Sequence, residues 1–248
     1  MSWRTVGLFF LGMAWFSFTS LGQNDTLSQI LLKASQGFSS SGSVSSVALT
    51  GQVTRTVGPD SENGTITLSA SADGSSSVKM QLGAGTLSEA QDTFANGQAC
   101  SWSGTDGVLH AASGHNCIVP LAWFLPEVSF FSGQMPANGA LSTGTEPGEK
   151  SLSLHWAQTP PAGVTPDQTS LLAHIGAYDL SLDASSFLPA SLSYAVHPDD
   201  NAGVDIPISV RYSNYRVVDG VNVPFHIERY FNGVLQLDIT ISNASINH

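Results

Sequence analysis

Residues 204–241 read VDIPISVRYSNYRVVDGVNVPFHIERYFNGVLQLDITI, and this stretch decides the fold of a chain of 248 residues. Apolar side chains recur at alternate positions in three successive runs, which is the period of a β-strand with one buried face. The runs are separated by Asp219-Gly220 and Asn232-Gly233, dipeptides that tolerate the positive φ angles of tight hairpin turns. The stretch therefore predicts neighbouring antiparallel strands.

The same alternation extends upstream to Val47. Five further Asn-Gly or Asp-Gly dipeptides predict hairpin turns at 63–64, 73–74, 96–97, 106–107 and 138–139. Because each strand is apolar on one face only, the sheet must curl over that face or be covered by helices. The predicted fold class is mostly β (α+β): a half-open antiparallel β-barrel or curved sheet, with an N-terminal helix and a short helical lid.

The N-terminal helix is expected from Asp25 to Gly37, with Thr26 and Gln29 as a capping box. Residues 159–176 also depart from strand periodicity. There the segment Thr159–Gln168 contains three prolines and is interpreted as a loop, and Leu171–Gly176 as one helical turn after it.

The predicted lid is Val119–Gly133, an aromatic segment that we expect to form a short helix starting at Pro120 and broken by Pro126. Its large apolar side chains could line a ligand cavity or simply fill the core, and the sequence does not choose between these two roles. They are Trp123, Phe124, Leu125, Phe130 and Phe131.

Residues 1–22 have the basic start, apolar run and small terminal residues of a signal peptide, which leaves 23–248 as a single domain. An uncleaved anchor is the alternative. After cleavage we expect no stable membrane anchor and a periplasmic or secreted protein. The formal net charge of -11 at pH 7 argues against nucleic-acid binding, since that binding depends on neutralising phosphates.

Cys100 and Cys117 are the only cysteines and lie in the part expected to be exported, where a disulfide between them is the default. His110 and His115 fall inside the same loop, so a Cys2His2 metal site is the alternative. The spacing is not that of a zinc finger, and we predict a disulfide and no metal.

The order of a helix, a run of strands, an aromatic insertion and more strands resembles the periplasmic lipoprotein-carrier (LolA-like) superfamily. The resemblance implies a half-open β-barrel whose helices close the mouth of a hydrophobic cavity. The segments that carry it are Leu182-Asp183, Phe187-Leu188-Pro189, Tyr215-Arg216, Asp219-Gly220-Val221, Val223-Pro224-Phe225 and Asn247.

Two arginines fall on the apolar face by strict alternation. Arg55 follows Val53 two residues on, and Arg229 lies between Ile227 and Phe231. An arginine among apolar neighbours could bind a ligand carboxylate or phosphate in a bidentate manner. The alternative is that each reaches solvent or a local acid near a strand end.

No pattern of a hydrolase nucleophile, a zinc hydrolase or a dinucleotide site is present, so we predict that the protein is not an enzyme and has no cofactor. Asp199, Asn201 and Asp205 match part of the spacing of a calcium loop, but no distal Glu completes it. A plain acidic hairpin loop is therefore the favoured interpretation.

The function predicted from these features is that of an exported soluble binding protein. It would hold a lipid or another hydrophobic ligand in the concave face of the half-barrel, without catalysis. The alternative is a structural or interaction protein of the cell envelope, with a closed core and no ligand. The sequence names no protein partner.

Overall fold

The structure is a computed structural model that describes residues 26–94, 97–117, 122–131, 139–144, 151–158 and 163–248. The helices are α1 (Leu27–Phe38), α2 (Glu127–Phe131) and α3 (Pro166–Ile175). The strands are β1 (Ser46–Val57), β2 (Asp60–Ser71), β3 (Ser76–Leu82), β4 (Gly85–Phe94), β5 (Gly97–Ser103), β6 (Leu109–Ala111), β7 (Gly139–Gly144), β8 (Ser151–Gln158), β9 (Tyr178–Asp183), β10 (Pro189–Val196), β11 (Ile206–Val218), β12 (Val221–Phe231) and β13 (Val234–Asn247).

All of these strands belong to one antiparallel sheet, in the order β6-β5-β4-β3-β2-β1-β13-β12-β11-β10-β9-β8-β7. Strands adjacent in the chain are adjacent in the sheet, except for β6 and β7, which lie at its opposite edges, and the first and last strands meet at its centre. There β1 pairs with the last strand, from Ser46 opposite Asn247 to Arg55 opposite Leu237. Among the described residues no pairing joins β6 to β7, so the sheet is open and curved. The predicted fold class is confirmed.

Helix α1 covers part of the apolar face of the sheet. The predicted capping box is present: the backbone N–H of Thr26 donates to Gln29 Oε1 at 2.8 Å, and the backbone N–H of Gln29 donates to Thr26 Oγ1 at 3.4 Å. The stripe Ile30, Ala34 and Phe38 is buried, at the spacing of four residues that places side chains on one helix face. The helix therefore packs through one face, as its sequence pattern predicts.

The turns behave largely as the dipeptides predict. Asp219-Gly220 has φ angles of 50° and 81°, and Asn232-Gly233 has φ angles of 49° and 77°, so both form hairpin turns in the left-handed region. Residues 73–74 and 106–107 also lie between strands. Asn96 and Asn138 lie outside the described residues.

The prediction of a turn at Asn63-Gly64 is wrong, because both residues lie inside β2. The chain turns earlier, between Val57 and Asp60. Gly64 serves a different purpose: a Cβ atom there would lie 2.1 Å from the carbonyl oxygen of Gln81 on β3, so only glycine permits this close approach.

Two predictions about proline were also wrong. Pro126 does not break a helix, since it precedes α2, and residues 118–121 with Pro120 lie outside the described residues. Residues 166–168, interpreted as loop, begin the ten-residue helix α3. Thr165 is its N-cap and Pro166 occupies the first turn, where a missing N–H is harmless. Pro166 was interpreted as part of a loop, whereas it is the first residue of the helix.

The predicted disulfide joins Cys100 on β5 to Cys117, with 5.5 Å between their Cα atoms. Both sulfurs are committed to this bond, so the alternative Cys2His2 metal site is excluded as formulated. His110 instead stacks on Trp102 at 4.3 Å between ring centroids.

Replacing both cysteines with Ala should lower the free energy of unfolding by about 3 kcal/mol, because the bond closes a loop of 17 residues in the unfolded chain. Urea unfolding of the wild type and the double variant, each with and without reductant, measures this difference. Reductant should lower the stability of the wild type and leave the variant unchanged. Labelling of both cysteines by an alkylating agent without reductant would contradict the pairing.

The segment beside this disulfide links the two arms of the open sheet, which are strands β1–β6 and strands β7–β13. The side chain of Asn116 accepts a hydrogen bond from the backbone N–H of His197 at 2.8 Å and donates to the His197 carbonyl at 2.7 Å. Asn116 neighbours Cys117, which is tied to β5 near one end of the sheet, whereas His197 follows β10 in the other arm. These paired bonds hold the curvature of the sheet without closing it by strand pairing.

Candidate functional site

An open cleft of about 540 Å³ lies where the concave face is not covered by the helices. Its walls come from both sides of the central β1–β13 pair. The charged residues in the walls are Arg55, Glu62, Glu89 and Arg229, and the large apolar ones are Met80, Leu87, Trp102 and Leu237. Eight of the fourteen residues that line the cleft are polar or charged, so its walls are amphipathic, and its volume is in the range of small-ligand sites.

The two arginines reach the cleft because they share one row across the sheet. Leu237 on β13 lies opposite Arg55 on β1 and also opposite Arg229 on β12. Residues in register point to the same face, so both side chains point to the concave side. One strand separates them, which places their backbones about 10 Å apart. The prediction that both belong to the apolar face agrees with this register.

Arg229 is already occupied by protein groups. Its guanidinium lies 3.5 Å from Glu89 and 4.9 Å from the centre of the Trp123 ring, on which it stacks. Burial acts to lower the pKa of Arg229, but Tyr194 and Glu89 more than offset this and raise it. Arg229 is therefore a charged residue whose partners are internal.

Arg55 differs, because no carboxylate of the described residues lies within ion-pair distance of its guanidinium. Glu62 is its register partner on β2 and lines the same cleft, but the two side chains form no salt bridge. Arg55 is half-buried between apolar neighbours. Its hydrogen-bonding capacity is therefore available to a molecule in the cleft.

The aromatic segment fills the interior. Trp123, Phe124 and Leu125 are each 0% exposed, and Phe130 packs edge-on against Tyr178 at 5.5 Å between ring centroids. The backbone carbonyl of Trp123 accepts a hydrogen bond from the hydroxyl of Tyr212 on β11. The side chain of Phe131 is outside the described set. Of the seven predicted ligand residues, four are buried core side chains and two are the arginines of the cleft, and the side chain of Phe131 is not described. Trp123 joins the two groups through its contact with Arg229.

Glu127 is a buried acid that the sequence reasoning missed. It is the first residue of α2 and is fully buried. Burial raises its pKa from 4.5 to about 8, while contacts with its own backbone and with Tyr215 oppose this. The only indication in the sequence was an acid inside the most aromatic segment, directly after Pro126. Glu127 is therefore largely protonated in the folded protein at pH 7.

The acidic loop after β10 is a turn held by its own side chains. Asn201 Oδ1 accepts a hydrogen bond from the backbone N–H of Gly203 at 3.1 Å. The carboxylate of Asp205 faces two imidazoles: it lies 2.8 Å from His174 and 3.4 Å from His197. The sequence spacing that matches part of a calcium loop does not explain either of these contacts between Asp205 and a histidine.

None of the helices in the described ranges combines the length and the apolar character needed to cross a membrane.

Comparison with known proteins identifies the fold. No protein-family model matches the chain, and no curated protein matches it significantly in sequence. Solved structures do match along nearly the whole chain. A LolA superfamily protein of Nitrosomonas europaea superposes with a TM-score of 0.52 at 12% identity, over 90% of this chain and 94% of that one.

Two further structures agree. A domain of Vibrio parahaemolyticus, described as outer membrane lipoprotein-sorting, has a TM-score of 0.52 at 9% identity and covers 88% of this chain and 91% of its own. A DUF1329 family protein of Desulfovibrio piger has a TM-score of 0.50 at 9% identity, over 88% and 90% of the two chains. The protein therefore has the LolA-like fold, an open curved β-sheet with helices on its concave side, as the resemblance implied.

Proposed function

We propose that this is an exported binding protein that holds an acidic amphipathic molecule, such as a long-chain fatty acid, in the open cleft. The observation that carries the proposal is Arg55 on the wall of that cleft, which pairs with no carboxylate in the part of the chain that the structure describes. A guanidinium can bind a carboxylate through two parallel hydrogen bonds, and it does so most strongly where water is partly excluded. The ligand's acyl chain would lie along Met80, Leu87, Trp102 and Leu237.

The proposed ligand site differs in location from that of a carrier whose cavity lies beneath the lid. Trp123, Phe124 and Leu125 have no exposed surface, so a ligand in their place would have to displace core side chains. This favours the cleft over the lid as the site. The disulfide and the LolA-like fold support export, and the proposal includes no catalytic step.

The filled interior also favours the second candidate function, an interaction protein of the cell envelope that binds no small ligand. In that case the cleft would be a surface depression, and Arg55 would have no ligand to bind. The two candidates differ in one measurable property, which is saturable binding of an acidic amphiphile.

Arg55→Gln should weaken the binding of a fluorescent C16 fatty acid by roughly tenfold or more, because hydrogen bonds to charged groups contribute about 1.5–3 kcal/mol each. The same probe as its methyl ester should bind the wild type and the variant alike. Fluorescence titration of purified protein gives the four dissociation constants.

Arg211→Gln is the matched control, since Arg211 is exposed on β11 outside the cleft and stacks on Tyr230. It removes the same charge and should leave binding unchanged. Glu62→Gln removes the acid opposite Arg55 and should strengthen binding of the acid. No saturable binding to the wild type, or equal loss in the Arg55 and Arg211 variants, would favour the interaction protein.

A further inference from the structure

Three side chains from separate segments converge outside the cleft. His174 is in the last turn of α3, His197 follows β10, and Asp205 precedes β11. One nitrogen of each imidazole and one oxygen of the carboxylate all lie within 4.8 Å of one another. We propose that these three residues bind a divalent transition-metal ion, with Zn²⁺ as the expected occupant.

The distances suit such an ion. Zinc binds imidazole nitrogen and carboxylate oxygen at about 2.0–2.2 Å, so two ligand atoms in a tetrahedral site are about 3.3 Å apart. The oxygen of Asp205 lies 3.4 Å from His197 Nδ1 and 2.8 Å from His174 Nε2. The carboxylate would shift by about half an ångström relative to His174, whereas the two imidazole nitrogens, which lie within 4.8 Å of each other, would approach by up to about 1.5 Å on binding the ion.

His197 provides the second observation. Its side chain is 0% exposed, and its Nδ1 lies 3.1 Å from the carbonyl of Val204, whereas Nε2 has no hydrogen-bond partner among the described residues. Nδ1 is the nitrogen that faces Asp205, so the ion would take the place of its contact with the Val204 carbonyl. Binding through Nδ1 requires a neutral imidazole with its proton on Nε2, the buried nitrogen without a partner.

The donor set selects the class of metal. Two nitrogen ligands and one oxygen favour Zn²⁺ and its neighbours in the first transition row, whereas Ca²⁺ and Mg²⁺ require mainly oxygen. His174 and Asp205 are about half exposed, so water can supply the remaining ligand and the ion can enter from solvent. This assignment departs from the sequence-based expectation of no metal.

The location indicates a structural role. The backbone of His197 is held by Asn116, and the carbonyl of Pro198 lies 3.2 Å from His115 Nε2. His197 therefore connects the contact between the two arms of the sheet to the proposed ion. A bound metal would fix α3 and the β10–β11 connection to that contact and so stabilise the open sheet.

The test uses tag-free protein freed of metal with a chelator and titrated with Zn²⁺ against a chromophoric zinc indicator. We expect one ion per chain and a rise of several degrees in the unfolding temperature that Mg²⁺ does not produce. With Co²⁺ the site should show the visible absorption of a four-coordinate nitrogen and oxygen complex. Asp205→Asn and His174→Asn should each weaken Zn²⁺ binding at least about tenfold.

His155→Asn is the matched control. His155 pairs with Asp179 at 2.8 Å and is about as exposed as His174. Among the described residues, however, no third side chain able to bind a metal joins His155 and Asp179. Its zinc affinity should equal that of the wild type. The proposal is overturned if the wild type shows no one-to-one binding, if the His174 and His155 variants bind alike, or if Ca²⁺ alone gives the stabilisation.

Discussion

Replacing Glu127 with Gln should remove a loss of stability of about 5 kcal/mol that the wild type undergoes as the pH rises from roughly 4.5 to 8. In the unfolded chain Glu127 ionises near its ordinary pKa of 4.5, whereas in the folded protein burial raises the pKa to about 8. Between these values the folded state keeps a proton that the unfolded state has released. Stability therefore falls as the pH rises and levels off above the folded pKa.

The measurement is urea unfolding of the wild type and Glu127→Gln at several pH values from 4.5 to 8.5, with the difference in free energy plotted against pH. Taking the difference cancels the titration of all other groups. Glu228→Gln, at a half-buried position on β12, is the control and should produce no slope of this size. A flat difference for the Glu127 variant would show that α2 does not seal this carboxyl from water.

The functional consequence concerns the lid. Ionisation of Glu127 would place a charge beside Tyr212 and Tyr215, whose pKa values burial raises well above their ordinary range. These three groups belong to α2 and β11, so alkaline conditions act on the contact between the lid and the sheet. The loosening of α2 should therefore precede global unfolding as the pH rises above 8.

Trp123→Ala should lower the free energy of unfolding by about 3–5 kcal/mol, the range for removing a large aromatic side chain from a core. Trp123 is 0% exposed and is among the largest fully buried side chains of the described residues. Its loss leaves a cavity at the centre of the concave face and removes the ring on which Arg229 stacks. Arg229 would then depend on Glu89 and Tyr194 alone.

Trp102→Ala is the matched comparison, because Trp102 is 44% exposed at the rim of the cleft. Its removal should change stability by no more than about 1 kcal/mol. Urea midpoints with unchanged m values separate the two variants. Equal and small effects would mean that the aromatic segment is not seated in the core. In the fatty-acid binding assay the order should be reversed: Trp102→Ala should weaken binding more than Trp123→Ala, because Trp102 and not Trp123 lines the proposed ligand cleft.

The elements that were predictable are those with local causes. Alternation along β11, β12 and β13 placed these strands, and Asp219-Gly220 and Asn232-Gly233 placed their turns, because both depend on residues a few positions apart. The capping box of α1 is also local. The predictions that failed were at Gly64, Pro126 and Pro166, where the same residue type has two uses and only the neighbouring strand or helix decides which one applies.

The candidate site was predictable in part. Alternation correctly placed Arg55 and Arg229 on the apolar face, since inward and outward positions follow from counting along one strand. It could not reveal that Arg229 forms an ion pair with Glu89 on β4 while Arg55 meets no carboxylate within the described ranges, because strands distant in sequence supply such partners. The role of the aromatic segment likewise depended on how fully the sheet curves around it.

By itself, the sequence therefore determined the strand faces, most hairpins, the N-terminal helix and the pairing of its only two cysteines. Each of these follows from periodicity, turn chemistry or simple counting. Only the tertiary structure decided that Glu127 is buried, that one cleft contains both arginines, and that His174, His197 and Asp205 meet. The physical reason is that burial, charge pairing and metal coordination depend on distances in space, which curvature of the sheet sets after the local elements have formed.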